Sequence, residues 1–253
     1  MTEPFIVHAH IPKTGGSALN RRMLFPMYGE DNVYQLYRFV FERASRLPRR
    51  HVARAMRSFV AVGHVPFGYF DDVYPDAVYV SVFRDPVARY MSFLNFVVAR
   101  EKHGVHRRIG KNLVDQAAEE PDAYVNAVLD DPRLTVIHGN VQTRLASGTA
   151  RLGDAPVTME HLSAALSNVA RERYVCGSQE DLPSLFDRLR ESFPHMRRPK
   201  ATSAELEKRL PKALHLDGLA LRTIDRIRAA NDLDTRLYAA LCDTAATSFA
   251  KAA

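Results

Sequence analysis

A short apolar run, Phe5-Ile6-Val7, leads through His8-Ala9 into His10-Ile11-Pro12-Lys13-Thr14-Gly15-Gly16-Ser17-Ala18-Leu19 and then into a stretch with helical character. A strand, a glycine turn and a helix start in immediate succession admit few folds. The glycines permit the backbone angles and the close approach of such a turn. Its N–H groups converge, and the helix N-terminus adds partial positive charge, so the unit is an anion cradle. Lys13 brings a full charge, and Thr14 and Ser17 bring hydroxyl donors.

The nucleotide-triphosphate P-loop has lysine after its glycines and a hydroxyl beside it for Mg²⁺. Here the lysine precedes the glycine pair. A second junction lies downstream. Ala77-Val78-Tyr79-Val80-Ser81-Val82-Phe83 is a nearly continuous apolar run that suits a buried parallel strand. Arg84-Asp85-Pro86 follows, with Asp85 a good N-cap and Pro86 suited to the first helical position. Tyr90, Met91, Leu94 and Val98 recur at helical spacing behind it, and Ser92 lies about two turns in. Taken alone, Arg84 could equally pair with a local carboxylate, and Ser92 could be a solvated helix hydroxyl.

Together, P-K-T-G-G-S and R-D-P-V-A-R-Y-M-S-F resemble the sulfotransferases that use 3′-phosphoadenosine 5′-phosphosulfate (PAPS), closest to the carbohydrate 2-O-sulfotransferase-like and bacterial branches. Val62-Gly63-His64-Val65-Pro66-Phe67 is similar to the G-H-x-x-F segment of the glycan branch, and Asn140-Val141-Gln142-Thr143-Arg144-Leu145 to an N-x-Q-T-R segment of bacterial relatives. Tyr174-Val175-Cys176-Gly177-Ser178 resembles a later strand that approaches the nucleotide, and Asn231-Asp232-Leu233-Asp234 with Leu237-Tyr238 a terminal-helix pattern. The resemblance implies a P-loop-like sulfotransferase fold and transfer of a sulfuryl group to an acceptor hydroxyl on a carbohydrate or glycolipid. It implies that Pro12, Lys13, Thr14, Gly15, Gly16, Ser17 and Ala18 hold the 5′-phosphosulfate, and that Arg84 and Ser92 hold the 3′-phosphate. Lys13 then offsets charge on the leaving phosphate, and no metal is expected. His64 is the expected general base, since imidazole accepts a proton near neutral pH. The other reading of His64 is a histidine bonded to a loop carbonyl. Gln142 and Arg144 are expected either at the acceptor or supporting the loop. His8 and His10 alternate onto one strand face, and two histidines without a third ligand make a poor metal site; lining the loop suits them better.

Strand signals near 4–9, 59–63, 77–83 and 174–177 alternate with helical stretches at Gln35 to Arg46, Thr158 to Arg171, after Ser178-Gln179-Glu180-Asp181, after Thr202-Ser203-Ala204-Glu205, and near Leu219 to Ala229 and Leu233 to Phe249. This order predicts an α/β fold, an open parallel sheet flanked by helices. Residues 1–253 read as one domain, with a candidate helical insertion at about 101–153. The loop from His10, His64, Arg84 and Gly177-Ser178 then fall at strand C-terminal ends, where such sheets bind ligands.

The formal net charge is +6, with basic clusters at Arg43 to Arg57, Arg100 to Lys111 and Arg197 to Lys200. Such surfaces attract polyanions, although a solvated helix face accounts for an arginine run as well. The chain has no zinc-finger spacing and no aromatic RNP-type segment, which argues against nucleic acid as partner. Its two cysteines give no disulfide framework, and Cys176 is expected to pack in a strand. No apolar run approaches a membrane span. Met1-Thr2-Glu3-Pro4 lacks a signal-peptide pattern, so a cytoplasmic protein is expected, unlike the membrane-anchored Golgi relatives. Two other classes fit parts of the pattern. A P-loop-type nucleotide kinase or hydrolase would need a magnesium carboxylate after a strand, with Asp85 the candidate. A non-catalytic polyanion binder would have no use for Lys13, His64, Arg84 and Ser92 together.

Overall fold

The computed structural model describes residues 4–36, 49–101, 117, 119–132, 134, 138–149, 155–193 and 214–252. It is an α/β fold built on a five-stranded, all-parallel sheet. The strands are β1 (Ile6–Ala9), β2 (Val33–Gln35), β3 (Val60–Gly63), β4 (Val78–Phe83) and β5 (Tyr174–Ser178), in the order β2-β3-β1-β4-β5. The strand signals at 4–9, 59–63, 77–83 and 174–177 match β1, β3, β4 and β5. The short strand β2 was not anticipated. It has three residues, too few for a periodic signal, and it exists through its pairing with β3, Val33 beside Val60. Gln35, expected to open a helix, ends β2 instead, and residues 37–48 lie outside the described residues.

The helices are α1 (Gly16–Leu19), α2 (Phe25–Tyr28), α3 (Arg49–Ala55), α4 (Pro86–Glu101), α5 (Pro121–Asp130), α6 (Val141–Ser147), α7 (Met159–Val169), α8 (Leu182–Ser192), α9 (Leu221–Ala230) and α10 (Asp232–Ala252). A π-helical stretch, Asn20–Leu24, joins α1 to α2. Pro26 has no N–H to donate back to residue 22 and its ring crowds that carbonyl, so the helix widens in the turn before it. Local chemistry sets two of the helix starts, the first as expected and the second with Asp181 rather than Ser178 as its cap. Asp85 Oδ1 accepts the Ala88 N–H at 2.8 Å ahead of Pro86, and Asp181 Oδ1 accepts the Ser184 N–H at 3.3 Å. The Thr202 to Glu205 capping box lies outside the described residues.

Alternation along the strands divides the core between the two faces of the sheet. Val7, Ala9, Ala61 and Tyr79 pack with Leu145, Leu162, Ala165 and Leu237 from α6, α7 and α10. Ile6, Val60, Val62, Val80 and Val82 pack with Leu19, Met23, Leu24, Leu185 and Leu189 from α1, the π stretch and α8. Helices therefore cover both faces. Beyond the sheet, Tyr90, Leu94 and Val98 of α4 join Tyr124 and Val128 of α5 and Ile227 of α9 in a third cluster. Cys176 is buried in β5 and its thiol pKa is pushed well up by that burial. Arg50, Arg54 and Arg57 are exposed at and just beyond α3, a solvated face. Arg43, Arg46, the basic residues from 102 to 111 and those from 197 to 200 lie outside the described residues. Among the described residues no helix is long and apolar enough to cross a membrane.

Candidate functional site

Because all five strands are parallel, their C-terminal ends share one edge of the sheet. β1 is central, between β3 and β4. The chain leaves β1 toward β2 on one side, whereas it leaves β4 toward β5 on the other. Loops that diverge from neighbouring strands open a crevice, the usual ligand site of such sheets. The 10–17 loop and Arg84 meet at this switch point: Arg84 Nη1 donates to the Lys13 carbonyl at 3.3 Å.

The loop is a folded object before any ligand enters. Lys13 and Gly15 have positive φ, 69° and 94°. Gly15 accepts the Ala18 N–H at 2.8 Å. Thr14 is fully buried, and its hydroxyl donates to the Ile11 carbonyl at 2.9 Å. The expectation that this hydroxyl faces a ligand is therefore corrected: it closes the turn from inside. Pro12, Lys13, Ser17 and Ala18 are half-buried at the crevice. A Cβ on Gly16 would lie 2.3 Å from His10 Cδ2 and 3.0 Å from His8 Cε1. The loop thus rests directly on the histidines of β1, as expected of residues that line it.

Those histidines continue into His64. The His8 and His10 ring centroids are 5.0 Å apart, as are those of His10 and His64. His8 Nδ1–H donates to Asn20 Oδ1 at 2.6 Å, tying β1 to the π-helical stretch. His64 Nδ1 lies 2.6 Å from the His10 carbonyl. A carbonyl can only accept, so Nδ1 carries the proton and Nε2 the lone pair. The two sequence readings of His64 are thus compatible, since the carbonyl bond sets the tautomer a base needs. Burial holds all three imidazoles neutral. It lowers His8 to about 4, lowers His10 well below 6.5, a shift to which the nearness of the His8 and His64 rings and the Lys13 ammonium adds, and lowers His64 against the pull of the His10 carbonyl.

Arg84 is held by its backbone. Gln142 Oε1 accepts the Arg84 N–H and Gln142 Nε2 donates to the Arg84 carbonyl, both at 2.9 Å. The Arg84 Nε–H is buried and has no hydrogen-bond partner. Burial lowers the Arg84 pKa, opposed by Glu180, Asp85 and Tyr238. Gln142 and Arg144 are both fully buried, so neither presents surface to an incoming acceptor. Gln142 braces the backbone of Arg84 at the end of β4. Arg144 Nη2 donates to the Ala155 carbonyl at 3.0 Å.

Ser92 is half-buried on α4, one turn before Phe96 on the same helix face. The Lys13 ammonium sits 4.5 Å above the Phe96 ring. The 3′-phosphate candidates and the loop lysine thus border one region. Three further residues shape it. Phe96 reads in the sequence as an ordinary apolar position. Gln179 donates its N–H to the Phe83 carbonyl at 2.7 Å, and its Cγ would lie 2.9 Å from a Cβ on Gly15. Glu180 Oε2 accepts the Tyr238 hydroxyl at 2.8 Å. Only the place of Gln179 and Glu180 after a strand signal hinted at this. Asp85, the candidate magnesium carboxylate, is engaged as a helix cap. Among the described residues, no group of three or more His, Cys, Asp or Glu is placed to hold a metal ion. Compared with known proteins, the chain matches no protein-family model and no curated protein.

Proposed function

We propose that this protein is a PAPS-dependent sulfotransferase with a P-loop-like sulfotransferase fold, acting on an acceptor hydroxyl of a carbohydrate or glycolipid. The observation that carries the reading is the contact between Lys13 and Arg84. The two segments that most resemble the family, separated by 71 positions in the chain, meet at the C-terminal ends of β1 and β4. The buried Arg84 Nε–H without a partner suits an anion, because an orphaned charged donor costs more than a neutral one. Loop amides, one lysine and one arginine form a donor set matched to a ligand carrying phosphate and sulfate.

When bound, PAPS supplies the sulfuryl group and departs as the 3′,5′-bisphosphate. The backbone N–H groups of Thr14 to Ser17 would hold the oxygens at its 5′ end, and Lys13 would balance charge there. Arg84 and Ser92 would hold the 3′-phosphate. His64, neutral and with its lone pair on Nε2, would take the proton of the acceptor hydroxyl.

Calorimetric titration with 3′,5′-bisphosphoadenosine, AMP and ATP with Mg²⁺ tests the assignment. A charge-assisted hydrogen bond contributes about 1.5–3 kcal/mol, so the bisphosphate should bind at least about tenfold tighter than AMP. Equal affinities overturn the 3′-phosphate site. Tightest binding by ATP with Mg²⁺, or turnover abolished by EDTA and restored by Mg²⁺, would support a nucleotide kinase instead.

A further inference from the structure

Arg84 is gripped from behind by a chain of buried polar groups drawn from three helices. Gln142 of α6 makes the paired bonds to its backbone. Asp234 of α10 accepts the Gln142 N–H through Oδ2 at 3.1 Å and the Thr143 N–H through Oδ1 at 2.7 Å. The Asp234 N–H donates in turn to Asn140 Oδ1 at 3.0 Å, so the starts of α6 and α10 cap each other. Arg89 of α4 lies behind them. Its Nη2 donates to the His138 carbonyl at 2.6 Å and to Asn231 Oδ1 at 3.2 Å. Arg89, Gln142, Thr143, Asn231 and Asp234 are all fully buried; burial raises the Asp234 pKa, opposed by the nearby Arg89 charge and by the Thr143 and Gln142 N–H groups.

We propose that Gln142, Asp234 and Arg89 form a buried positioning relay that fixes the Arg84 guanidinium for the 3′-phosphate, a role that rests on the function proposed above. A buried charged network is a poor way to gain stability, since apolar residues of similar volume do as well or better. The hydrogen-bonded part of the network, Gln142 and Asp234, instead fixes one geometry, whereas Arg89 Nε and Nη1 and the Thr143 hydroxyl are buried without a hydrogen-bond partner. Here the two Gln142 bonds grip the Arg84 backbone through both its N–H and its carbonyl, and leave the guanidinium free of the network. Asp234 orients the first turn of α6, α6 presents Gln142, and Gln142 sets where β4 ends. Arg89 ties α4 to the residue ahead of α10 through Asn231 Oδ1. Misplacing a binding group by a fraction of its bond length weakens binding without altering the group itself.

The test measures the preference for 3′,5′-bisphosphoadenosine over AMP in the wild type, in Gln142→Met and Asp234→Asn, and in each variant combined with Arg84→Ala. Gln142→Met removes both bonds with a side chain of the same length and leaves Asp234 and Arg89 intact, so the test survives poor folding of Asp234→Asn. The relay predicts that the preference falls by about two- to tenfold in Gln142→Met, that AMP affinity stays unchanged, and that neither substitution has a further effect once Arg84 is alanine. Folded variants that keep the wild-type preference overturn the relay while leaving the proposed function standing. So does a loss of equal size in the Arg84→Ala background, because it would not pass through Arg84. A wild type with no preference for the bisphosphate overturns the proposed function, and the relay's role with it.

Discussion

Lys13 carries two separable burdens, a left-handed backbone and a positive charge, and two substitutions pull them apart. Its φ of 69° puts a side-chain-bearing residue in the left-handed region, at a cost of roughly 1–2 kcal/mol for an L-residue. Lys13→Ala keeps that strain and removes the ammonium, together with its contact over the Phe96 ring at 4.5 Å, worth about 0.5–1 kcal/mol at a partly exposed site. Lys13→Gly loses the same contact but releases the strain, offset by roughly 0.5–1 kcal/mol of extra chain entropy in the unfolded state. Glycine should therefore be the more stable variant by about 0.5–1 kcal/mol. For a chain of this size that is about 2–4 °C in Tm per kcal/mol. Both variants should lose about 10²–10³ in turnover, the effect of removing one donor that stabilises developing charge. Urea melts read the first comparison, and transfer of labelled sulfate from PAPS reads the second. If alanine is as stable as glycine, Lys13 does not hold the left-handed conformation in solution. If glycine restores turnover, the role of Lys13 is backbone shape and the charge argument is wrong.

His64→Ala should lower kcat by about 10²–10⁴ while leaving affinity for 3′,5′-bisphosphoadenosine nearly unchanged. In the wild type, burial lowers the His64 pKa, so the acid limb of kcat/KM should fall below pH 6.5 and vanish in the variant; a folded variant with wild-type kcat makes His64 structural. His8 should make stability fall with acid. Its folded pKa is about 4 against 6.5 in the unfolded chain, so the unfolded state takes up the proton first. The contribution is present above pH 6.5 and is lost progressively as pH drops to about 4, amounting to about 3 kcal/mol. His8→Asn keeps a donor for Asn20 Oδ1 and should flatten that part of the stability curve; parallel curves refute the assignment. Gly16→Ala forces a Cβ to within 2.3 Å of His10 Cδ2, and overpacking of this kind costs about 1–3 kcal/mol. An unchanged Tm would mean that the histidines do not lie beneath the loop.

The features legible in the sequence act over a few residues. Asp85 and Asp181 cap helices through N–H groups three positions on, and the apolar spacing of Leu182, Leu185 and Leu189 marks one helix face. The runs that became β1, β3, β4 and β5 are nearly continuous hydrophobics, as strands buried on both faces must be. From these alone the α/β class, the parallel sheet and the placing of Lys13, His64 and Arg84 at strand ends followed. Tertiary structure decided the rest. β2 depends on the neighbour it pairs with, since three residues carry no pattern of their own. The Thr14 hydroxyl turned inward because the folded turn leaves it no solvent and offers it the Ile11 carbonyl. Gln142 reached Arg84 across 58 positions and Asp234 reached Gln142 across 92. Residue type names the donors and acceptors such bonds require, but only the packing of α6 and α10 beside the end of β4 chooses which of them meet.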